Sequence, residues 1–230
     1  MSLYEFNNEW IGKYIHPNIL DVPDLALAVE EQKVNNVGTD IFVVPVFSET
    51  FCNEIGYLIQ TLDEEKWTSG RHANYPTNDI VINDIGLGDV YRSVVFNFLI
   101  PIALQLFKMP HPASAENQTE REKIFRNDFW TEDFLVRYLP HKQKVLGIHH
   151  DQSMFTYNIV LNNNFIGGGT YFEKHEITVS PPPGHAILAP GLVTHKHGAR
   201  PISSGERYMM VSFINKLVPP EGSNPGVKIK

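Results

Sequence analysis

Residues 155–164 read FTYNIVLNNN, and residues 167–189 read GGGTYFEKHEITVSPPPGHAILA. Each apolar run here is short, rich in β-branched and aromatic side chains, and closed by Asn, Gly or Pro. The same pattern extends in both directions. It predicts strands at Phe134–Leu139, Phe155–Leu161, Gly169–Glu173, Ile177–Ser180, His185–Ala189 and Tyr208–Asn215. Many short strands at near-regular spacing point to a β-sandwich or barrel-like roll. Upstream, Ile41–Phe47 reads as another strand. Ser48 suits a helix N-cap, followed by Phe51, Ile55, Leu58, Ile59 and Leu62 at helical spacing. A second helix is expected after Gly88, with Pro101 kinking or breaking it. Pro23–Lys33 is a short helical candidate, and His111–Arg126 reads as a polar loop and candidate lid. The expected fold class is α+β, mainly β, with helices packed on one face of a double-sheet roll. The organisation expected is an N-terminal extension over residues 1–40 packed on the domain, one domain over 41–220, and a tail over 221–230.

Composition narrows the function classes. The 230 residues carry 19 basic and 26 acidic side chains, a formal net charge of -7, without a basic block. That balance argues against a protein held to nucleic acid by phosphate contacts. Cys52 is the one cysteine, so neither an intrachain disulfide nor a cysteine zinc site can form. Met1–Trp10 lacks the basic-then-apolar order of a signal peptide. The apolar stretch Val94–Phe107 is interrupted and too short to span a bilayer, so no membrane-spanning segment is expected.

Six of the ten histidines fall between His149 and His197. His149-His150-Asp151 reads as the opening of a strand, where residues two apart face the same side. His149 and Asp151 can then aim at one point, and one more histidine would complete two imidazoles and a carboxylate. That donor set leaves coordination positions free and suits non-haem Fe(II). His-x-Asp alone recurs by chance, and His195 and His197 are both available as the third ligand. Arg207 opens an apolar strand. Its planar donor fork matches a carboxylate, and burying it is costly unless an anion meets it.

The longer stretches RYLPHKQKVLGIHHDQSMFTYNIVLN (137–162), FIGGGTYF (165–172) and APGLVTHKHGARPISSGERYMMVSFIN (189–215) resemble the 2-oxoglutarate/Fe(II) oxygenases. Within these they are similar to the catalytic domain of the procollagen-lysine 5-dioxygenases, as are DIFVVPVFSETFCNEI (40–55) and NYPTNDIVINDIGL (74–87). The low cysteine content departs from the secreted animal enzymes. It is more like the giant-virus members that join a lysyl hydroxylase to a glycosyltransferase, although 230 residues hold no region of glycosyltransferase size.

The resemblance implies a double-stranded β-helix, or jelly-roll/cupin-like, fold. It implies Fe(II), 2-oxoglutarate as co-substrate and ascorbate, with a collagen-like peptide as substrate and 5-hydroxylysine as product. It implies His149, Asp151 and His197 as iron ligands, Arg207 as partner of the far carboxylate of 2-oxoglutarate, and Tyr138 and Asn158 as further co-substrate contacts. His197 is preferred to His195 for its ten-residue spacing to Arg207 and the following Gly198. The resemblance also implies a homodimer, for which Leu192 and Val193 are candidate contacts, and an endoplasmic-reticulum setting for family members. The same chemistry on prolyl or other lysyl targets, and a non-catalytic metal-binding roll, are the competing readings.

Overall fold

Alternating side chains on extended backbone let a strand bury both faces when it lies between two layers. β13, Arg207–Lys216, does so: Tyr208, Met210 and Ile214 enter one hydrophobic cluster, whereas Met209 and Val211 enter another. In the computed structural model the described residues are 2–20, 35–72, 74–109 and 118–217. The other strands are β1 (Asn35–Gly38), β2 (Ile41–Pro45), β3 (Asp79–Val81), β4 (Phe129–Tyr138), β5 (Leu146–His149) and β6 (Phe155–Val160). They continue as β7 (Phe165–Gly167), β8 (Thr170–Phe172), β9 (Ile177–Val179), β10 (His185–Ala189), β11 (His197–Ala199) and β12 (Ile202–Gly205).

A seven-stranded antiparallel sheet has the order β1-β2-β10-β6-β13-β4-β3. A four-stranded sheet, β5-β11-β8-β9, contributes Phe172, Val179 and Ala199 to clusters shared with the large sheet, and β12-β7 forms a short ribbon. Two facing antiparallel sheets with helices on the outer face of the larger one make the jelly-roll architecture expected from the sequence.

Among the described residues the α-helices are α1 (Asn8–Tyr14), α2 (Glu49–Gln60), α3 (Gly88–Leu106) and α4 (Gln118–Asp128). α2 starts at its expected cap, with Ser48 Oγ accepting from Phe51 N at 3.3 Å. α1 falls in the expected N-terminal extension, where the sequence reading has no helix before Pro23. Asn7 caps it by accepting from Trp10 N, and Trp10, Tyr14, Ile15 and Ile19 are buried in the main cluster. Pro101 does not break α3. Val95–Leu99 widens into a π turn, and Ile100 N reaches back to Val95 O, so the helix passes the proline without a stop. α3 is apolar and long enough to cross a membrane by length and composition, but 72% of its apolar window is buried inside the protein.

Two further differences from the sequence reading stand out. Residues 118–126 of the expected polar loop belong to the helix Gln118–Asp128, because Phe125 is fully buried and Glu122 binds Asn97 Nδ2 at 2.8 Å and Arg126. β4 begins at Phe129 rather than Phe134, paired along its length with β13. The helical candidate Pro23–Lys33, the start of the expected loop at His111, and the tail at 221–230 lie outside the described residues.

Candidate active site

The space between the two sheets is a cavity of about 650 Å³. His149, His150, Asp151, His197, Arg207, Tyr138 and Asn158 all line it. His149 ends β5 rather than opening a strand, and Asp151 lies two residues beyond that end. The pair still converges. His149 Nε2 lies 3.1 Å from Asp151 Oδ1, and His197 Nε2 lies 3.5 Å from Asp151 Oδ2. His197 is opposite His149 in the register of β11 on β5. Gly198 permits this approach: a Cβ there would sit 2.7 Å from Leu146 O and 3.1 Å from Gly147 O.

Both rings are held by backbone. His149 Nδ1 pairs with Gly147 O at 2.8 Å and His197 Nδ1 with His195 O at 3.0 Å. With Nδ1 donating, each Nε2 carries its lone pair toward Asp151. Burial alone would raise the Asp151 pKa. The neighbouring imidazoles, His197 first, outweigh it and hold the carboxyl at about 2. Burial lowers the His197 pKa against the pull of Asp151, which favours the neutral, ligating ring. At His149 burial is outweighed by the hydrogen bond and charge of Asp151, and the pKa rises. His195 turns elsewhere: its Nε2 faces Thr39 O at 3.1 Å and its Nδ1 the Thr194 hydroxyl at 3.0 Å.

Asp151 Oδ2 is buried without a hydrogen-bond partner. A buried carboxylate oxygen without a partner is costly, and a cation among these ligand atoms removes that cost. The three residues offer atoms all within 4.8 Å of one another. Two imidazoles and one carboxylate fit Fe(II) with positions left over.

Arg207 is 2% exposed. Its Nη1 donates to Gly169 O at 3.3 Å and its Nη2 to Thr170 Oγ1 at 3.4 Å, with its guanidinium 5.3 Å from the centre of the Tyr138 ring. No carboxylate among the described residues meets it, and burial lowers its pKa. The three glycines Gly167, Gly168 and Gly169 have φ of +91°, +77° and +92°, and a Cβ on Gly168 would lie 3.4 Å from Arg207 Cδ. The glycine turn therefore shapes the wall beside this cation.

Sequence reasoning missed the far wall of the cavity. His72, Asn74, Tyr75 and Thr77 come from the segment before β3, and Phe134, Val211 and Phe213 from the large sheet. Tyr75 lies 5.0 Å from the His149 ring, centre to centre. The alternation of Arg207, Met209, Val211 and Phe213 was the available signal for the strand residues. Nothing local marks His72.

Residues 124–216 match the model of the 2OG-Fe(II) oxygenase superfamily. The chain thus carries a 2OG-Fe(II) oxygenase domain, a family that implies Fe(II) and 2-oxoglutarate. It is 32% identical over 228 residues to procollagen-lysine,2-oxoglutarate 5-dioxygenase 2 of Mus musculus, covering 93% of this chain and 28% of that protein. It is 29% identical over 237 residues to the procollagen lysyl hydroxylase and glycosyltransferase of Acanthamoeba polyphaga mimivirus, covering 94% of this chain and 24% of that protein. The chain thus spans about a quarter of the length of these relatives. A Pseudomonas putida prolyl-4-hydroxylase structure superposes with a TM-score of 0.54 at 13% identity, covering 87% of this chain and all of that one, which establishes the shared fold.

Proposed function

We propose that this domain hydroxylates C5 of peptidyl lysine in collagen-like X-Lys-Gly sequences, giving 5-hydroxylysine, succinate and carbon dioxide. The observation that carries the chemistry is the pairing, in one cavity, of an unpartnered Asp151 oxygen between two imidazoles with a buried Arg207 that lacks an anion. The lysyl target rests on the similarity to procollagen-lysine dioxygenases over nearly the whole chain.

In this reading His149, Asp151 and His197 hold Fe(II). Bound there with 2-oxoglutarate and dioxygen, the metal supplies an oxidant able to convert an unactivated C–H to C–OH. The chain's own groups do the rest. Arg207 receives the far carboxylate of 2-oxoglutarate, and burial strengthens that pair by excluding water. Tyr138, opposite Arg207 in register, offers its hydroxyl beside the same carboxylate. Asn158, opposite Val211, offers an amide midway along the cavity. Val136, Met209 and Val211 keep the walls apolar, which shields the reacting carbon. Exposed Leu192 and Val193 offer apolar surface for a homodimer, and light scattering reads that directly.

The test is succinate release with Fe(II), 2-oxoglutarate and ascorbate on an X-Lys-Gly peptide, with mass spectrometry of the peptide. Succinate plus one oxygen on lysine is expected. Succinate with oxygen on proline reassigns the target. Iron-loaded protein that yields neither product refutes the proposal.

A further inference from the structure

His72 Nε2 and Asp151 Oδ2 are both buried side-chain atoms without a hydrogen-bond partner, and both residues line the same cavity. In the reading proposed above, a metal is the partner of Asp151. His72 needs a different one. Its ring lies 5.2 Å from Phe134 and 6.1 Å from Phe213, centre to centre, and these two rings meet edge-on at 5.2 Å. Phe213 stands six residues along β13 from Arg207. That is roughly 20 Å of strand, beyond the reach of a five-carbon diacid anchored on Arg207. Phe134, the nearer ring, is opposite Val211, four residues and roughly 13 Å along the strand from Arg207, still beyond that diacid, which leaves the other molecule the cavity must admit to meet His72.

We propose that His72, with Phe134 and Phe213, receives the side-chain amine of the substrate lysine, with the ammonium donating to His72 Nε2. The inference rests on the peptidyl-lysine reading given above and names the group that recognises the substrate's charge. Three observations converge on an amine. Asp151 is the only carboxylate among the described residues lining the cavity, and it belongs to the metal set. A cation entering there has to rely on the His72 ring nitrogen and on aromatic surface, and Phe134 already accepts one cation in this way, the Arg71 guanidinium 5.0 Å from its ring centre. Behind Phe134, Arg71 is paired with both Asp79 and Glu132, so that this ion cluster carries one net negative charge at the cation's end of the cavity. The opposite end, at Arg207, is positive. The cavity is polarised to take an anionic co-substrate at one end and a cationic side chain at the other.

The experiment measures peptide binding to the Fe(II)- and 2-oxoglutarate-loaded protein without oxygen, by fluorescence anisotropy. It compares a Gly-X-Lys-Gly peptide with its norleucine counterpart, which keeps the aliphatic stem and lacks the amine. Wild type is expected to prefer lysine by about tenfold or more, the scale of one hydrogen bond to a charged group. His72→Phe should bring that ratio close to one, and His72→Gln, which places an acceptor near the Nε2 position, should restore part of it. In parallel, the ¹⁵N resonance of His72 Nε2 in wild type should move on adding the lysine peptide and stay in place with norleucine, a readout that does not depend on any variant folding. An unchanged lysine preference in H72F, or an unmoved resonance, overturns the inference and leaves the hydroxylase reading intact. A wild type that does not distinguish the two peptides overturns the lysyl reading and the inference with it.

Discussion

Gly198→Ala tests the link between strand packing and the metal site. A Cβ at this position would meet Leu146 O at 2.7 Å, against ordinary contact from 3.4 Å, so β11 must move about 0.7 Å from β5. Both contacts are backbone, and neither can rotate away. Overpacking of this kind costs about 1–3 kcal/mol. In a chain of this length that lowers Tm by roughly 2–12 °C. The second effect is on the ligands. His149 and His197 face each other across this strand pair, and metal–ligand distances tolerate only about 0.2 Å. The displacement exceeds that tolerance, so metal affinity should fall about 10- to 100-fold, the range seen when supporting contacts of metal ligands are lost. The assay is thermal unfolding with and without Mn(II) as a redox-silent stand-in, supported by calorimetric titration. A hundred-fold excess of metal over its dissociation constant should add about 2.7 kcal/mol to wild type and much less to the variant. Gly147 on the facing strand is the control, because a Cβ there meets nothing within 4 Å. Gly147→Ala should change stability by no more than about 0.5 kcal/mol. If G198A melts with wild type and gains as much from Mn(II), the account of β5–β11 as the setting for the ligands is wrong.

Three other outcomes are expected. Arg207→Met removes a buried cation that lacks an anion, so the unloaded protein should be as stable or more so while the affinity for 2-oxoglutarate drops about tenfold or more, read by isothermal titration. Asp133, whose Oδ1 is buried without a partner, has its pKa raised by burial to about 6, so its protonated form is favoured in the fold; stability from this group is complete below about pH 4 and is lost as pH rises through 6. Asp133→Asn should therefore gain on wild type by up to about 3 kcal/mol between pH 4 and 7.5 in urea titrations, and parallel curves would exclude the effect. Trp10→Ala empties a site 1% exposed and removes the indole bond to Leu3 O, and should cost about 3–5 kcal/mol in chemical denaturation, tying the N-terminal helix to the core.

Much of this architecture is legible in sequence because strand and turn signals are local. Pro181-Pro182-Pro183-Gly184 ends one strand and His185–Ala189 begins the next as expected. β5 and β11 are less legible: each is short and carries the polar ligands, so their burial comes from partners distant in sequence. The helix Gln118–Asp128 escaped because its one deeply buried apolar side chain, Phe125, is outnumbered by charged residues whose partners, such as Asn97, lie on another helix. Pro101 misled because the remedy for its missing N–H, a π turn, is a property of the packed helix rather than of the residue. At the site, the residues that cluster in the cavity, His149, Asp151, His197 and Arg207, could be named from spacing and resemblance. His72 could not, since its significance comes from two rings more than sixty residues away.

β13 has a consequence beyond packing. Its cavity-facing residues recur every second position, so Arg207, Met209, Val211 and Phe213 are graduations on a gauge, each roughly 7 Å from the next. On the proposed reading, one end of the gauge sets where the diacid stops and the other where an incoming side chain finishes, with His149, Asp151 and His197 at a point between them. A guest too short fails to span the interval, and one too long overshoots it. Selectivity for side-chain length is then written in the pitch of a single strand. Inserting or deleting two residues within it, which keeps the same face toward the cavity, would change the interval by roughly 7 Å.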